Sequence, residues 1–392
     1  FFAPASLIQG STLSPTSTCV RTQVYPTMGA LCSGVYNRQG FEDKFGTKVF
    51  DDTLANLPGL GGKCIAITGC TTGFGFHLAE VAVKKGAAHV LMLNRMSDRA
   101  KEAENQIKQF ATGTETKVET VECDLQSFAS VTAAASKVKA VADGYGGLDV
   151  LANNAGVMAL RDSRTTDGFE VQMQTNQLSH VLLLHGLLPS LDAASKRRGE
   201  ARVVFHSSSA RDGPSVDLKP EFFQRCAENT LGGDEVGVFG EMALGKVGPW
   251  HRYHQTKLAN AAFAMALHEN IKNSSCKDVK ALAVDPGVAS TNLQQTSVDT
   301  GLMGAGMANM LMPMGQSARD GTAPLMMACF ALDAKSGDFY APDQGMKGVP
   351  QKTISEGVPV KSGGEKLTTS EANKETAWKS SLEACGLVSL FP

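Results

Sequence analysis

The sequence predicts an α/β protein: a doubly wound parallel sheet with helices on both faces. Three observations carry that expectation. Short apolar runs recur along the chain, as in strands buried on both faces. Longer stretches at helical spacing separate them, so strand and helix alternate. A glycine-rich turn lies between the first run and the first helical stretch. In order, Lys63 to Thr68 reads as the first strand, followed by an amphipathic segment to Lys85. Ala88 to Leu93 is the second strand, and a polar helix runs from about Ser97 to Phe110. Lys117 to Cys123 alternates like a third strand, and Phe128 to Ala142 reads helical. Leu148 to Ala152, Ala201 to His206 and Val279 to Val284 are the fourth, fifth and sixth strands. Long helical patterns occupy 167–190 and 250–272. No repeat or linker divides the chain, so 58–392 reads as one domain behind an N-terminal extension, 1–57.

Composition narrows the function. The 392 residues are 42% apolar with net charge −2, enough chain for a large core and no basic field for nucleic acid. No apolar stretch reaches the ~18 to 20 residues of a membrane span; Val181 to Leu191 is short and broken by His185 and Pro189. Nine dispersed cysteines without a C-x-x-C, and eight histidines without ligand spacing, point to free thiols and no metal site. Residues 1–35 are rich in Ser, Thr, Pro and Gly, with Arg21 as their only charge. They read as a disordered extension or a targeting remnant. The opening is Phe1-Phe2-Ala3-Pro4 rather than Met, the mark of a processed or partial chain. It resembles the Phe-led start of plastid transit peptides in algae with secondary plastids, which implies a plastid; the cytoplasm is the alternative. Phe41, Phe45, Phe50 and Leu54 are placed to pack on the surface of the fold.

The first turn, Thr68-Gly69-Cys70-Thr71-Thr72-Gly73-Phe74-Gly75, opens a helix. Glycines there permit a tight turn, and the helix N-terminus offers free N–H groups to a pyrophosphate. The second strand ends in Asn94-Arg95, where a site for NAD would place an acid. A guanidinium suits a 2′-phosphate, which favours NADP(H) over NAD(H). Asp124-Leu125 stands where an adenine would lie, although an Asp after a strand also serves as a helix cap. Tyr253 and Lys257 are four apart on a helix, so phenol and ammonium share a face. A nearby cation favours phenolate and lowers the phenol pKa. Strands four, five and six end in Asn153-Asn154-Ala155-Gly156, His206-Ser207-Ser208-Ser209 and Asp285-Pro286-Gly287-Val288, at the sheet edge that binds ligands.

The ordered set T-G-x-x-x-G-x-G, N-N-A-G, Ser, Y-x-x-x-K and P-G-x-x-x-T, over about 60–345, resembles the short-chain dehydrogenase/reductase family. The resemblance implies a seven-stranded Rossmann sheet and hydride transfer between a nicotinamide and a carbonyl or alcohol. It makes Tyr253 the general acid/base and Ser208 the hydroxyl that polarises the substrate oxygen, with Ser207 and Ser209 as alternative registers. Lys257 would hold the nicotinamide ribose, and Asn176 a proton-relay water. Gly69, Thr72, Gly73, Phe74, Gly75, Asn153, Ala155, Gly156, Pro286, Gly287, Val288 and Thr291 would line the cofactor cleft. Asn94-Arg95, Tyr253 to Asn260 and the segment near Ala377 to Leu387 resemble the retinol dehydrogenase branch. Protochlorophyllide reductases share the Tyr/Lys pair but alter N-N-A-G, so C=C reduction is the lesser option. An excess segment, about 217–248, separates Ser208 from Tyr253 as a lid, docking loop or tolerated insertion. The methionine-rich stretch 292–316 is placed as a substrate loop for a bulky apolar carbonyl or alcohol of retinoid, steroid or lipid-aldehyde type. A surface helix is its other reading. Pairing through the helices at 167–190 and 250–272, as a dimer or tetramer, is implied by the family. The competing class is a nucleotide-binding subunit with a structural or regulatory role in a larger assembly.

Overall fold

The structure is a computed structural model that describes residues 46–213, 216–227, 248–289 and 315–391. Its centre is one sheet in the order β3-β2-β1-β4-β5-β6-β7-β8. The strands are β1 (Cys64–Thr68), β2 (His89–Asn94), β3 (Lys117–Glu122), β4 (Val150–Asn153), β5 (Ala201–His206), β6 (Val279–Val284), β7 (Phe339–Pro342) and β8 (Pro350–Ile354). Strands β1 to β7 pair in parallel, and β8 returns antiparallel to β7. The helices are α1 (Lys48–Asn56), α2 (Gly73–Lys84), α3 (Asp98–Phe110), α4 (Phe128–Asp143), α5 (Ser179–Arg198), α6 (Gly248–Ile271), α7 (Ala323–Phe330), α8 (Gly363–Thr369) and α9 (Glu371–Ala384).

The continuous apolar runs follow from burial on both faces. Along β1, Cys64 and Ala66 join one core cluster while Ile65 and Ile67 join the other. Serine caps start three of these helices: Ser97 Oγ accepts from Ala100 N–H, Ser127 Oγ from Ser130 N–H and Ser362 Oγ from Glu365 N–H. The sheet has eight strands, not seven. The added β8 is an edge strand made by a hairpin, where Pro350 needs no ladder N–H and Lys352 pairs with Asp333 and Asp338.

Phe50 is fully buried in the second core cluster rather than packed on the surface, and its backbone N–H donates to Asp320 Oδ1 at 2.8 Å. The folded unit therefore includes α1, ahead of the expected start at 58. The front of the excess segment is also part of the fold. Phe222 and Phe223 are buried, Leu218 N–H donates to Asn373 Oδ1 at 2.8 Å, and Gln255 Nε2 donates to the Asp217 carbonyl at 3.1 Å. The remainder, 228–247, lies outside the described residues, as do 1–45 and 290–314. Among the described residues every cysteine is a free thiol, no acidic, His or Cys cluster could hold a metal, and no helix is long and apolar enough to cross a membrane.

Candidate active site

The carboxyl ends of the parallel strands open into a cleft of about 1030 Å³. One end is floored by the turn after β1. Gly69 has φ +73° and Gly73 φ +64°, values that side chains rarely adopt. A Cβ on Gly69 would lie 2.9 Å from the Ala155 Cα. Gly75 does not line the cleft but supports the turn from below; a Cβ there would sit 2.5 Å from Asn154 Nδ2 and nearer still to the Gly69 carbonyl. The turn is thus a backbone cradle that a methyl group would fill, and it fits a pyrophosphate at the start of α2. Thr72 and Phe74 line it.

At the end of β2, Asn94 Oδ1 accepts from Cys70 N–H at 2.7 Å and ties β2 to the cradle. Asn94 Nδ2 is buried without a partner among the described residues. Arg95 is exposed on the cleft, and so is Arg99, one helical turn further on. Arg99 is a second guanidinium beyond the expected Arg95, and the Ser97-x-Arg99 start of α3 is its signal in the sequence. Asp124 lines the cleft beside the buried Leu125, while its carboxylate accepts from Gln126 N–H at 3.0 Å. It therefore caps its own turn as well as facing the cleft.

The N-N-A-G segment divides differently from expectation. Asn154, Ala155 and Gly156 line the cleft, whereas Asn153 is fully buried in β4 with its side-chain atoms unpartnered among the described residues. Asn153 is the last residue of β4, which is buried along its whole length, and Asn154 is the first residue beyond the strand, at the cleft. Asn154 Nδ2 donates to the Thr68 carbonyl at 2.9 Å, and Thr68 Oγ1 accepts from the N–H groups of Asn154 and Ala155 at 3.0 and 2.9 Å. The Thr68 hydroxyl then donates to His180 Nε2 at 3.0 Å, because His180 Nδ1–H is committed to the Asn176 carbonyl at 2.9 Å. Burial holds His180 neutral, down to about 4. Only its place four residues after Asn176 marks this histidine in the sequence.

Asn176 lies in a π-helical turn, Gln174–Leu178, and does not face the cleft; Thr175 does. The Asn176 amide is fully used: Oδ1 accepts from Val157 N–H at 2.7 Å, and Nδ2 donates to the Val157 carbonyl and Thr256 Oγ1, both at 2.9 Å. Its side chain braces the β4 loop against α6.

The other end of the cleft holds the proton-transfer groups. The Ser208 hydroxyl stands close enough to the Tyr253 phenol to act on its titration and accepts from Ala210 N–H at 3.2 Å. Ser207 is turned inward, donating to the Lys257 carbonyl at 2.6 Å, and Ser209 is exposed. The geometry therefore selects Ser208. Lys257 Nζ donates to the His206 carbonyl at 3.0 Å and stands 5.8 Å from the Tyr253 ring centroid. Asn260 Nδ2 shares that carbonyl at 2.9 Å. Burial pushes the Lys257 ammonium down to about 8 against the pull of Asp285. Burial also raises the Tyr253 phenol, with Asp285 adding to the rise and Ser208 opposing it. Desolvation thus sets the direction, opposite to the lowering expected from Lys257. His206 is held neutral by burial and by Lys257 and His180.

After β6, Pro286, Gly287 and Val288 line the cleft. Gly287 has φ +68°, and the preceding Asp285 binds Arg211 Nη1 at 2.7 Å. Arg211 also donates to the Ser208 carbonyl at 3.0 Å, which links the ends of β5 and β6. Thr291 lies outside the described residues. So does most of the expected substrate loop, whose flanks are joined by a bridge between Ala289 and Gln316. Met158 and Trp250 complete the apolar wall beside Tyr253.

A family model described as short chain dehydrogenase matches residues 63–218. The chain is 33% identical over 309 residues to the short-chain dehydrogenase/reductase drtF of Aspergillus calidoustus, covering 74% of this chain and 88% of that one. It is 31% identical over 242 residues to retinol dehydrogenase 12 of Bos taurus, covering 61% of this chain and 65% of the relative. Among solved structures, an uncharacterised protein of Mycobacterium paratuberculosis superposes with a TM-score of 0.59 at 27% identity, covering 86% and 98% of the two chains.

Proposed function

The chain belongs to the short-chain dehydrogenase/reductase family, and we propose that within it the protein is an NADP(H)-dependent reductase of bulky apolar carbonyl compounds. The observation that carries this reading is the convergence of Ser208, Tyr253 and Lys257 at the apolar end of a cleft whose other end is a phosphate cradle. A purely structural subunit has no need of a desolvated ammonium beside a phenol. Arg95 and Arg99 at the rim support the 2′-phosphate and hence NADP(H) over NAD(H). Leu125, Val288 and the β4 loop would flank the dinucleotide.

When bound, the cofactor supplies the hydride, two electrons to the carbonyl carbon. Ser208 donates a hydrogen bond to the substrate oxygen and stabilises its developing charge. Tyr253, kept protonated by burial, gives its proton to that oxygen, so a carbonyl and a proton become an alcohol, and the phenol is reprotonated from water. Lys257, fixed by the His206 carbonyl, would hold the nicotinamide ribose and offset the transient phenolate. Met158 and Trp250 exclude water and favour an apolar substrate, in line with the similarity to retinol dehydrogenase 12.

The test follows NADPH absorbance over a panel of apolar aldehydes and ketones, with Tyr253→Phe as control. Turnover lost by at least about 1,000-fold in the variant, with NADPH affinity kept, supports the reading. Failure to bind NADPH refutes it.

A further inference from the structure

His254 follows Tyr253 in α6 and lines the same cleft, yet the proton transfer above makes no use of it. Its side chain is 7% exposed. Three neighbours fix the ring. The Trp250 indole is 6.3 Å away between centroids, the Tyr253 ring 6.5 Å, and Gly213 presses on the Nδ1 side, where an added Cβ would overlap the imidazole and come within 3.0 Å of Cγ. Nδ1 is buried with no partner among the described residues, which leaves Nε2 as the nitrogen turned to the cleft. Burial and the nearby His251 keep the ring neutral, down to about 4.

A neutral imidazole carries one N–H. Placed on Nδ1, that hydrogen would point at the Gly213 methylene as a buried orphan donor, the rarer and costlier arrangement. Placed on Nε2, it points into the cleft as a donor. Tyr253 and Ser208 already serve the reacting oxygen, so this donor faces a second one. A hydrogen bond reaches ~2.8 Å, and the two rings stand 6.5 Å apart between centroids. One substrate that carries oxygens on neighbouring or next-neighbouring carbons can therefore meet a donor from each of these adjacent side chains.

We propose that His254 is a specificity-determining residue that donates a hydrogen bond to a second substrate oxygen beside the reacting carbonyl. The substrate class is then a bulky apolar 1,2-dicarbonyl, 1,3-dicarbonyl or α-oxygenated carbonyl compound rather than a plain ketone. This inference rests on the reductase reading of the same cleft.

The probes are 1-phenyl-1,2-propanedione and propiophenone, which differ by the second oxygen, with the full chain and NADPH. Steady-state kinetics give kcat and KM, and calorimetric titration of the NADP+-loaded protein gives Kd without turnover. The dione is expected to bind about 10-fold tighter than propiophenone, the worth of one well-made hydrogen bond. In His254→Phe that ratio falls to near one through KM and Kd, while propiophenone is little changed. In His254→Gln, whose amide can donate from a similar place, part of the preference returns. A preference unchanged in His254→Phe, or a wild type that binds both probes alike, overturns the inference. The reductase reading then still stands if Tyr253→Phe abolishes turnover. A dione bound through His254 by a protein that reduces nothing keeps the His254 contact but sinks the reductase reading, and with it the assignment of the dione as substrate.

Discussion

Gly75→Ala separates the cradle from the general stability of the fold. Gly75 lies in α2, and alanine is favoured over glycine inside a helix by about 1 kcal/mol. The added Cβ meets Asn154 Nδ2 at 2.5 Å, with the Gly69 carbonyl nearer still. An ordinary contact is ~3.5 Å, so about 1 Å of displacement must be found. Neither neighbour is a free side-chain end: Gly69 is backbone, and Asn154 Nδ2 donates to the Thr68 and Gly69 carbonyls at 2.9 and 3.3 Å. Overpacking of this kind costs about 1–3 kcal/mol, so the net loss after the helix gain is about 0–2 kcal/mol. The melting temperature should fall by a few degrees. Binding should suffer more, because the atoms that must move form the phosphate turn itself; NADPH affinity is expected to drop at least about 10-fold. Gly186→Ala in α5 is the control, since its Cβ would meet the Ala135 Cβ at 2.7 Å without touching the cleft. Fluorescence titration with NADPH and thermal melts of both variants decide the matter. A Gly75→Ala protein that binds NADPH like the wild type refutes the cradle.

Lys257→Met should stabilise the protein without cofactor while abolishing activity. Burial takes the ammonium from 10.5 to about 8, so the unfolded chain binds the proton more tightly, and wild-type stability rises between about pH 8 and 10.5; the variant should lack that rise and gain up to about 3 kcal/mol at pH 7, read by urea unfolding. Arg252→Met strips the cation from between Asp162 and Glu170, at 3.6 and 3.4 Å. Burial already raises Glu170 to about 7 against the pull of Arg252, so the loss should be about 3–5 kcal/mol at pH 8 and smaller at pH 5, where Glu170 can take a proton; an equal loss at both pH values contradicts the cluster. Arg95→Ala with Arg99→Ala should weaken NADPH about 10- to 100-fold and NADH less than about 2-fold, the NADPH effect shrinking with salt; equal losses for both nucleotides would remove the 2′-phosphate assignment.

Period and turn chemistry made most of this fold legible. The runs ending at Thr68 and His206 are strands because both their faces are covered, and glycine at 69 and 73 marks the positive φ that the cradle needs. β8 was missed because its residues, Pro350 to Ile354, carry neither a continuous apolar run nor clean alternation; they are held at an edge by a hairpin and by Lys352. At the site, spacing identified Tyr253 and Lys257, but it could not choose among three serines. That choice depends on which hydroxyl the Lys257 carbonyl takes, and it takes Ser207. Asn153 does not line the cleft because the buried strand runs one residue into the N-N-A-G motif, a boundary the motif does not reveal. His180, Asn260 and Arg211 act through a hydroxyl, a backbone carbonyl and an ion pair in distant segments, which leave no trace in local pattern.

Subunit pairing is where the C-terminal segment bears on what the resemblance implies. The resemblance implies pairing through the outer faces of the helices at 167–190 and 250–272. Here those faces carry the chain's own C-terminal segment. Trp378 of α9 stacks on Phe263 of α6 at 5.2 Å and 20°, and Lys374 pairs with Glu269. On the α5 side, Gln177 Nε2 donates to Ser381 Oγ at 3.1 Å, Cys385 Sγ to the Leu178 carbonyl at 3.3 Å, and His185 Nδ1 to the Leu390 carbonyl at 3.1 Å. A partner docking there would have to displace α9 and expose Ala377, Leu382 and Leu390, all buried. Each such side chain costs about 1.5–3 kcal/mol to uncover, or less for alanine, before any new contact forms. The expectation is a monomer of 41.3 kDa by light scattering. Trp378→Ala, which loosens α9, should lower stability without changing that mass. A dimer in which cross-linking joins α6 to α6 would show that the C-terminal segment yields, and would restore the pairing that the resemblance implied.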